Sequence, residues 1–197
     1  MTSESDGRHA RSERTRAAVL HSFAALVATE GSRPTMEAVA DEAEISVRSV
    51  FRHFADVDAV IVAALAYVLE VELTDRVVIA PGGPVRQRVS AVAASRSEDN
   101  ESMMMLFGLA ASIGVGDPEV EASLARSRAA GRRWLSDAFS RELARRSGAA
   151  RGALLDTIEA ALSPATWYGI RIDQAVSTVR GQRIVEAMLL GALTTTR

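Results

Sequence analysis

The stretch that decides the fold is VADEAEISVRSVFRHF, residues 39–54. Its apolar spacing predicts two short helices, separated by a turn at Glu44-Ile45-Ser46. Ala43 is small enough to let the two helices approach closely, and Ile45 gives the turn an apolar anchor in the core. Two short helices joined by a tight turn are typical of a helix-turn-helix.

Helix-end signals extend this pattern in both directions. Upstream, an apolar face begins after Glu13, and Gly31 is a natural C-terminal stop for that helix. Thr35 and Ser46 are N-cap residue types placed directly before the two short helices. Asp56 is the next cap, and it opens a longer helix that runs towards Val78. The first 55 residues therefore predict three helices, the last two forming the helix-turn-helix.

The second helix of the motif has two chemically different sides. We expect it to bury Val50, Phe51 and Phe54. The side chains then presented outward are those of Val47, Arg48, Ser49, Arg52 and His53. An α-helix with arginines on its outer face has the geometry needed to enter a DNA major groove. Two plainer explanations stay open, a solvated arginine face and a histidine at the edge of the core.

The rest of the chain is also helical in pattern. Residues 1–12 carry charge but little apolar surface and predict a mobile arm. Pro81-Gly82-Gly83-Pro84 is the clearest break. Beyond it we expect helices near 85–97, 101–113, 118–147, 150–169 and 174–193. No segment alternates in the manner of a strand, so the predicted class is all-α, with a helix-turn-helix domain over 1–55 and a second helical domain over 56–197.

The motif residues closely resemble those of the tetracycline-repressor (TetR) family of transcription regulators. The resemblance covers roughly residues 13–65 and includes the Arg14-Thr15-Arg16 opening and the Phe51-Arg52-His53-Phe54 ending of the second motif helix. Further matching positions are Phe23, Gly31, Thr35, Val39, Ala40, Ala43, Ile45 and Ser46. The resemblance implies a homodimer that binds a palindromic DNA operator and leaves it when a small molecule occupies the C-terminal domain.

The resemblance also assigns roles to individual residues. It implies phosphate contacts for Thr35 and Ser46 near helix ends, and a DNA-backbone contact for His53. It implies that Val47, Arg48, Ser49 and Arg52 meet base edges or phosphates. Among these, Arg48 is the expected guanine reader, because a guanidinium matches O6 and N7 with two hydrogen bonds. Arg14 and Arg16 are expected to reach phosphates or the minor groove.

Three positions depart from the family pattern. Glu44 stands where the family usually has glycine, which places a carboxylate close to DNA and an ordinary residue in a left-handed turn. Phe51 replaces the usual tyrosine hydroxyl, and Val57 replaces a frequent lysine. Residues 1–70 also hold seven arginines against eleven acidic residues, an unfavourable balance for nonspecific attraction to phosphates.

The second domain contains a candidate effector site. Met103-Met104-Met105-Leu106-Phe107 spreads flexible side chains over more than one face of a helix. Together with two tryptophans and a tyrosine, this stretch predicts a pocket for an apolar or aromatic molecule. The residues proposed to line it are Met103, Met104, Phe107, Trp134, Trp167 and Tyr168. Ordinary core packing is the competing explanation for the methionines.

The last two helices are candidates for a dimer interface. Relatives pair equivalent helices from two subunits into a four-helix arrangement, and an operator with two-fold symmetry needs a two-fold protein. The predicted interface residues are Leu155, Ile158, Leu162, Ile184, Met188 and Leu189. The same spacing is equally compatible with an internal core.

Composition excludes several classes of function. With no cysteine and only three histidines at unrelated spacings, the chain predicts no metal site, and nothing in it indicates a cofactor. A Gly-rich phosphate loop is absent, because the prolines at 81 and 84 remove amide donors and no lysine follows. No apolar run is long enough to cross a bilayer and no signal peptide is present, so a cytoplasmic protein without membrane contact is expected. We see no catalytic constellation and expect no enzyme.

These observations predict a DNA-binding transcription regulator of the repressor type. Its expected partners are a double-stranded DNA operator, a second copy of the chain and a small effector. The alternative is an all-helical small-molecule-binding or interaction protein that kept the fold and lost specific DNA binding.

Overall fold

The fold was analysed in a computed structural model, which describes residues 3–74, 77–113 and 118–195. Every regular element in these ranges is helical, which confirms the all-α prediction. The first part of the chain contains α1 (Ser3–Glu30), α2 (Met36–Glu42), α3 (Val47–His53) and α4 (Val57–Thr74). The second part contains α5 (Val85–Ser112), α6 (Pro118–Ala138), α7 (Ser140–Ala144), α8 (Gly148–Ala161), α9 (Pro164–Tyr168) and α10 (Thr178–Thr194). A short π-helical turn, Gly169–Asp173, continues α9.

The chain divides into two compact units. The first comprises Met1–Val71 and Met105–Ala125, and the second comprises Glu72–Met104 and Arg126–Arg197. The units are defined by which residues pack together, so the two ends of α5 belong to different units. The domain boundary predicted after residue 55 is based on expected function, and it stays a prediction.

The first unit is built on the three helices of the predicted motif. α1, α2 and α3 pack against one another in pairs. Their inner faces bury Val19, Phe23, Val39 and Val50 completely. Removing apolar side chains from water in this way is the main force that holds such short helices in place.

The second unit has a continuous apolar core. α8 packs on both α7 and α10, and the fully or almost fully buried side chains include Phe139, Ile158, Trp167 and Leu189. A buried ion pair adjoins this core: Arg88 of α5 donates two hydrogen bonds to Glu142 of α7, at 2.7 and 2.9 Å. The Arg88 side chain also donates to the carbonyl oxygens of Gly83 and Ala138.

Several predicted helix boundaries are wrong. Within the expected arm, residues 3–12 form the first turns of α1, while residues 1 and 2 lie outside the described part. The expected gap near residue 100 is absent, because α5 runs without interruption from Val85 to Ser112. Asn100 is polar but buried, and its amide donates to the Leu162 carbonyl at 3.1 Å, so it needs no loop.

Two helices predicted as continuous are broken. The predicted 118–147 helix is interrupted at Phe139. Next to this break, the Arg88 side chain donates a hydrogen bond to the Ala138 carbonyl oxygen at 2.6 Å. The 150–169 helix ends at Ala161 and restarts at Pro164, with Ser163 as a new N-cap that accepts a hydrogen bond from the Thr166 amide. At both breaks, side-chain hydrogen bonds take the place of backbone hydrogen bonds within the helix.

Candidate nucleic-acid interface

The turn between α2 and α3 is held by a complete set of backbone hydrogen bonds. The Ile45 amide donates to the Ala40 carbonyl at 2.9 Å, and the Glu44 amide donates to the Asp41 carbonyl at 3.1 Å. This pair of bonds defines a Schellman motif, which requires a left-handed residue just after the helix. Glu44 is that residue, with φ at 54°. The expectation of a left-handed backbone at Glu44 is therefore confirmed.

Both predicted N-caps are confirmed. The Thr35 hydroxyl oxygen accepts a hydrogen bond from the Ala38 amide at 3.1 Å, and the Ser46 hydroxyl oxygen accepts one from the Ser49 amide at 3.2 Å. The Ser46 and Ser49 hydroxyls also lie 2.9 Å apart, within hydrogen-bonding distance. Thr35 and Ser46 are exposed despite these bonds. Their hydroxyls thus start two helices and still face the outside.

α3 presents its two arginines outward. Arg48 and Arg52 are exposed, whereas Val47 and Ser49 are half-buried beside them. Val50 is fully buried and Phe54 is almost fully buried, as predicted. The helix is therefore fixed by one apolar edge and leaves both guanidinium groups accessible.

Phe51 contradicts the sequence prediction. It was expected in the core, but half of its surface is exposed. The α3 helix spans only seven residues, and the inward positions are filled by Val50 and Phe54. An exposed aromatic ring next to Arg52 is consequently part of the outer surface of the motif.

Two of the other predicted DNA contacts, Arg16 and His53, face the protein. The guanidinium carbon of Arg16 lies 4.9 Å from the centre of the Phe54 ring, a cation–π arrangement. The His53 ring is half-buried, and its Nε2 atom is buried with no hydrogen-bond partner in the described part of the chain. Arg14 differs from both, because it is exposed and its Nε donates only within α1, to the Ala10 carbonyl.

The electrostatics of His53 follow from this inward position. Burial lowers the pKa of the His53 imidazole, and the positive charges of Arg52 and Arg16 lower it further. Glu13 acts in the opposite direction with a smaller effect. The lowered pKa favours the neutral form of the ring, so His53 contributes little positive charge to the surface of the motif.

Acidic groups adjoin the motif. Glu37, Asp41, Glu42 and Glu44 are all exposed on or just after α2. Such a row of carboxylates opposes a phosphate backbone at close range. The positive charges of Arg48 and Arg52 on α3 therefore lie near several exposed negative charges on α2 and the following turn.

The six residues predicted to bind an effector differ in burial and in their hydrogen bonds. Met103 and Trp167 are buried, and the Trp167 indole donates to Glu101 at 2.8 Å. Trp134 and Met104 pack against the core of the second unit, and the Trp134 indole donates to the Val77 carbonyl at 2.8 Å. Phe107 is half-buried and Tyr168 is 45% exposed. None of the six lines either of the two cavities described below, so their role in binding stays a prediction.

Four of the six predicted interface residues lie in the chain's own core. Leu155, Ile158, Leu162 and Leu189 are buried among side chains of the second unit, so they present no surface to a partner. Ile184 is half-buried against the same core, and Met188 is exposed. The apolar spacing of α8 and α10 therefore marks mainly their inward faces.

The outward faces of α8 and α10 form a shallow groove. Its floor consists of small residues, including Ala160 of α8 and Ala187 and Gly191 of α10, with Met188 beside them. Ala187 and Gly191 are both exposed on α10. Of the residues in this groove, the predicted interface set includes only Met188, because small exposed side chains carry little apolar signal.

Within the described residues, no cluster of acidic, histidine or cysteine side chains is arranged to hold a metal ion. In the same part of the chain, none of the helices is long and apolar enough to cross a membrane.

Two solved structures share this helical fold. One is a protein from Rhodococcus sp. described as a candidate TetR-family transcriptional regulator, with 20% sequence identity and a TM-score of 0.61, covering 92% of this chain and 100% of that chain. The other is from Pseudomonas aeruginosa PAO1 and is described as a candidate transcriptional regulator, with 17% identity and a TM-score of 0.52, covering 92% and 91%. No protein-family model and no curated protein sequence matches the chain. At these identities the likeness establishes the predicted fold, and function is argued separately.

Proposed function

We propose that the protein is a DNA-binding transcription regulator that acts as a homodimer on a palindromic operator. The observation that carries this proposal is the outer face of α3, where Arg48 and Arg52 are exposed on a helix anchored by Val50 and Phe54. A helix held by one edge and carrying free guanidinium groups on the other fits the major groove.

Each contact residue has a role in this proposal. Arg48 reads guanine with two hydrogen bonds, and Arg52 holds a phosphate or a second base edge. Val47 and Ser49 lie between them and meet base edges. Thr35, Ser46 and Arg14 position the motif on the phosphate backbone, since their polar groups are exposed. Arg16 and His53 face inward, so the proposal gives them no part in DNA binding.

The dimer follows from the symmetry of the proposed operator. Two recognition helices read two half-sites when they are held about 34 Å apart, one turn of DNA. The groove of small residues on α8 and α10 supports a two-fold contact there, because helices approach closely where side chains are small. Met188 then inserts at the edge of the contact.

Effector release belongs to the same proposal. A small apolar or aromatic molecule acts on repression only if it binds the DNA-free conformation more tightly than the DNA-bound one. Met104, Phe107 and Trp134 are half-buried and therefore more accessible than the buried Met103 and Trp167. The protein works in the cytoplasm in this proposal, where its operator lies.

The second candidate function is an interaction or ligand-binding protein that no longer reads DNA. The exposed carboxylates of Glu44 and its neighbours on α2 favour it, because they repel phosphates at the surface where α3 would dock. Phe51 also offers a ring where a hydroxyl would bind phosphate.

Removal of the two arginines distinguishes these functions. A duplex is first selected from random DNA with the full chain, and its affinity is then measured for Arg48→Ala, Arg52→Ala and the control Arg151→Ala, an exposed arginine on α8. Loss of one bidentate base contact weakens binding by roughly 10- to 100-fold and relaxes the preference at one base pair. We expect this for Arg48→Ala, with no change for Arg151→Ala. Equal affinity of all three variants would favour the second function.

A further inference from the structure

The first unit contains a cavity of about 270 Å³ that no predicted role uses. Helices α1, α3, α4 and α6 each contribute to its lining. Six of its nine lining residues are aliphatic, and they are Ala55, Ala59, Val62, Ala63, Ala66 and Val120. Only Arg16 and His53 bring ionisable groups to it, and the ring of Phe54 lies beside them.

The polar end of this cavity has unused hydrogen-bonding capacity. His53 Nε2 is buried and finds no partner among the residues that the structure describes. A buried polar atom left without a partner is unfavourable, so such atoms in native proteins usually meet water or a ligand. The Arg16 guanidinium stacks on Phe54, a contact made by its face that uses none of its N–H donors.

Charge at this end favours an anion. Arg16 lines this end of the cavity beside His53, and the positive charges of Arg16 and Arg52 both lower the pKa of the His53 imidazole. Glu13 is the one acidic group that acts appreciably on the ring, and its effect is the smallest. The Arg16 guanidinium offers a planar pair of donors that matches a carboxylate.

The size and the walls limit the rest of the ligand. Drug-sized ligands occupy pockets of about 300–1,000 Å³, and this cavity lies just below that range. Its alanine and valine side chains offer no hydrogen bonds to the body of a ligand. A short aliphatic chain or a single ring fits these walls.

We propose that this cavity binds a small organic carboxylate, with the carboxylate held by the Arg16 guanidinium beside the His53 ring and the hydrocarbon part against the alanines of α4. This site lies in the unit that carries the helix-turn-helix, and it is separate from the effector residues predicted for the second domain. The proposal does not depend on DNA binding.

The three histidines give a direct readout. His9 and His21 are exposed on α1, so their imidazole resonances serve as internal controls for His53. Benzoate is titrated into the full chain without DNA, and the imidazole resonances are followed by NMR, with benzyl alcohol as the neutral probe. We expect a saturable shift of the His53 resonance with benzoate only. We also expect the pKa of His53 to rise when benzoate is bound, because the carboxylate stabilises the imidazolium.

Variants at Arg16 test the assigned contact. Loss of a hydrogen-bonded charge pair lowers affinity by about tenfold or more, so we expect that weakening for Arg16→Gln. Arg16→Lys keeps the charge and retains part of the affinity. Arg11→Gln, an exposed position on the same helix, leaves it unchanged. Thermal unfolding of each variant verifies that it is folded.

Three results would overturn the proposal. They are equal binding of benzoate and benzyl alcohol, equal shifts of all three histidines, and wild-type affinity in a folded Arg16→Gln variant. Because DNA is absent throughout, none of these results bears on the proposed regulator function.

Discussion

Glu44 occupies a backbone conformation that glycine adopts more easily. Its φ of 54° lies in the left-handed region, where a side chain costs about 1–2 kcal/mol. The two Schellman hydrogen bonds made by Glu44 and Ile45 compensate for this cost and fix the angle between α2 and α3. The residue thus carries local strain at the point that orients α3.

Replacing Glu44 by glycine should stabilise the protein. Relief of the left-handed strain exceeds the extra chain entropy of glycine, so Glu44→Gly is expected to raise the free energy of unfolding by roughly 1 kcal/mol. Glu44→Gln removes the charge but keeps the strain, and it serves as the control with no expected gain. Denaturant unfolding measures both. A Glu44→Gly variant no more stable than Glu44→Gln would show that the turn is not strained.

The buried pair Arg88–Glu142 links stability to pH. Hydrogen bonds from Arg88 hold the pKa of the Glu142 carboxyl below its ordinary value, and burial opposes them only in part. A carboxyl with a lowered pKa in the folded state stabilises the fold above its ordinary pKa. That stabilisation is lost as the pH falls below about 4.5.

Glu142→Gln should therefore flatten the acid response. At pH 7 we expect the variant to have a lower Tm than the wild type, because Arg88 is left buried without its counter-charge. Between pH 7 and pH 4 the wild type should lose more of its Tm than the variant does. Thermal unfolding at the two pH values measures this difference. An equal decrease in Tm for the two proteins would show that Glu142 does not contribute to the loss of stability in acid.

At the scale of elements, α10 is fitted closely to the π-helical turn. A Cβ at Gly181 would lie 3.2 Å from the Trp167 ring and 3.2 Å from Ile170. The ring cannot move freely, because its indole donates to Glu101, which also pairs with Arg171. Glycine at this position lets α10 approach the turn.

Gly181→Ala should consequently destabilise the second unit. Overpacking of a filled core costs about 1–3 kcal/mol and outweighs the helix propensity gained by alanine. Gly108→Ala is the matched control, since that helical glycine has open space where a Cβ would lie. It should raise stability by about 0.5–1 kcal/mol. A stabilising Gly181→Ala would contradict the close fit, and circular dichroism melting of both variants decides the matter.

Elements whose ends depend on local chemistry were predictable from the sequence. Gly31, Thr35, Ser46 and Asp56 each form the stop or cap expected of them, because capping involves residues within one turn. The break at Ser163-Pro164 carried the same kind of signal and was overlooked. The break at Phe139 was not predictable, because it depends on Arg88, about fifty residues earlier in the sequence.

Helix faces were harder to predict than helix ends. Which side of α3, α8 or α10 is buried depends on neighbours that are distant in sequence. Phe51 was therefore placed inside although it is exposed, and Ile158 and Leu189 were placed at an interface although both are fully buried in the core. The inward turn of His53 likewise depends on packing around α3, and the sequence left it open between a core edge and a DNA contact.

At the scale of the whole molecule, the proposed dimer predicts that the groove on α8 and α10 is buried between two chains. Ala187→Arg places a long charged side chain on its floor, so we expect a monomer. Ala94→Arg adds the same side chain at an exposed position of α5 and should leave the dimer intact. Sedimentation velocity measures the mass of each species. A dimeric Ala187→Arg variant would place the contact elsewhere.

The central claim is that the exposed face of α3 reads a specific DNA sequence. The most direct measurement is selection of binding sites from sheared genomic DNA by the purified full chain, carried out at two salt concentrations. Nonspecific binding depends on phosphate contacts and falls steeply with salt, whereas base readout keeps its preference. The account predicts recovery of one palindromic sequence that persists at the higher salt. Recovery of unrelated fragments that disappear with salt would contradict it.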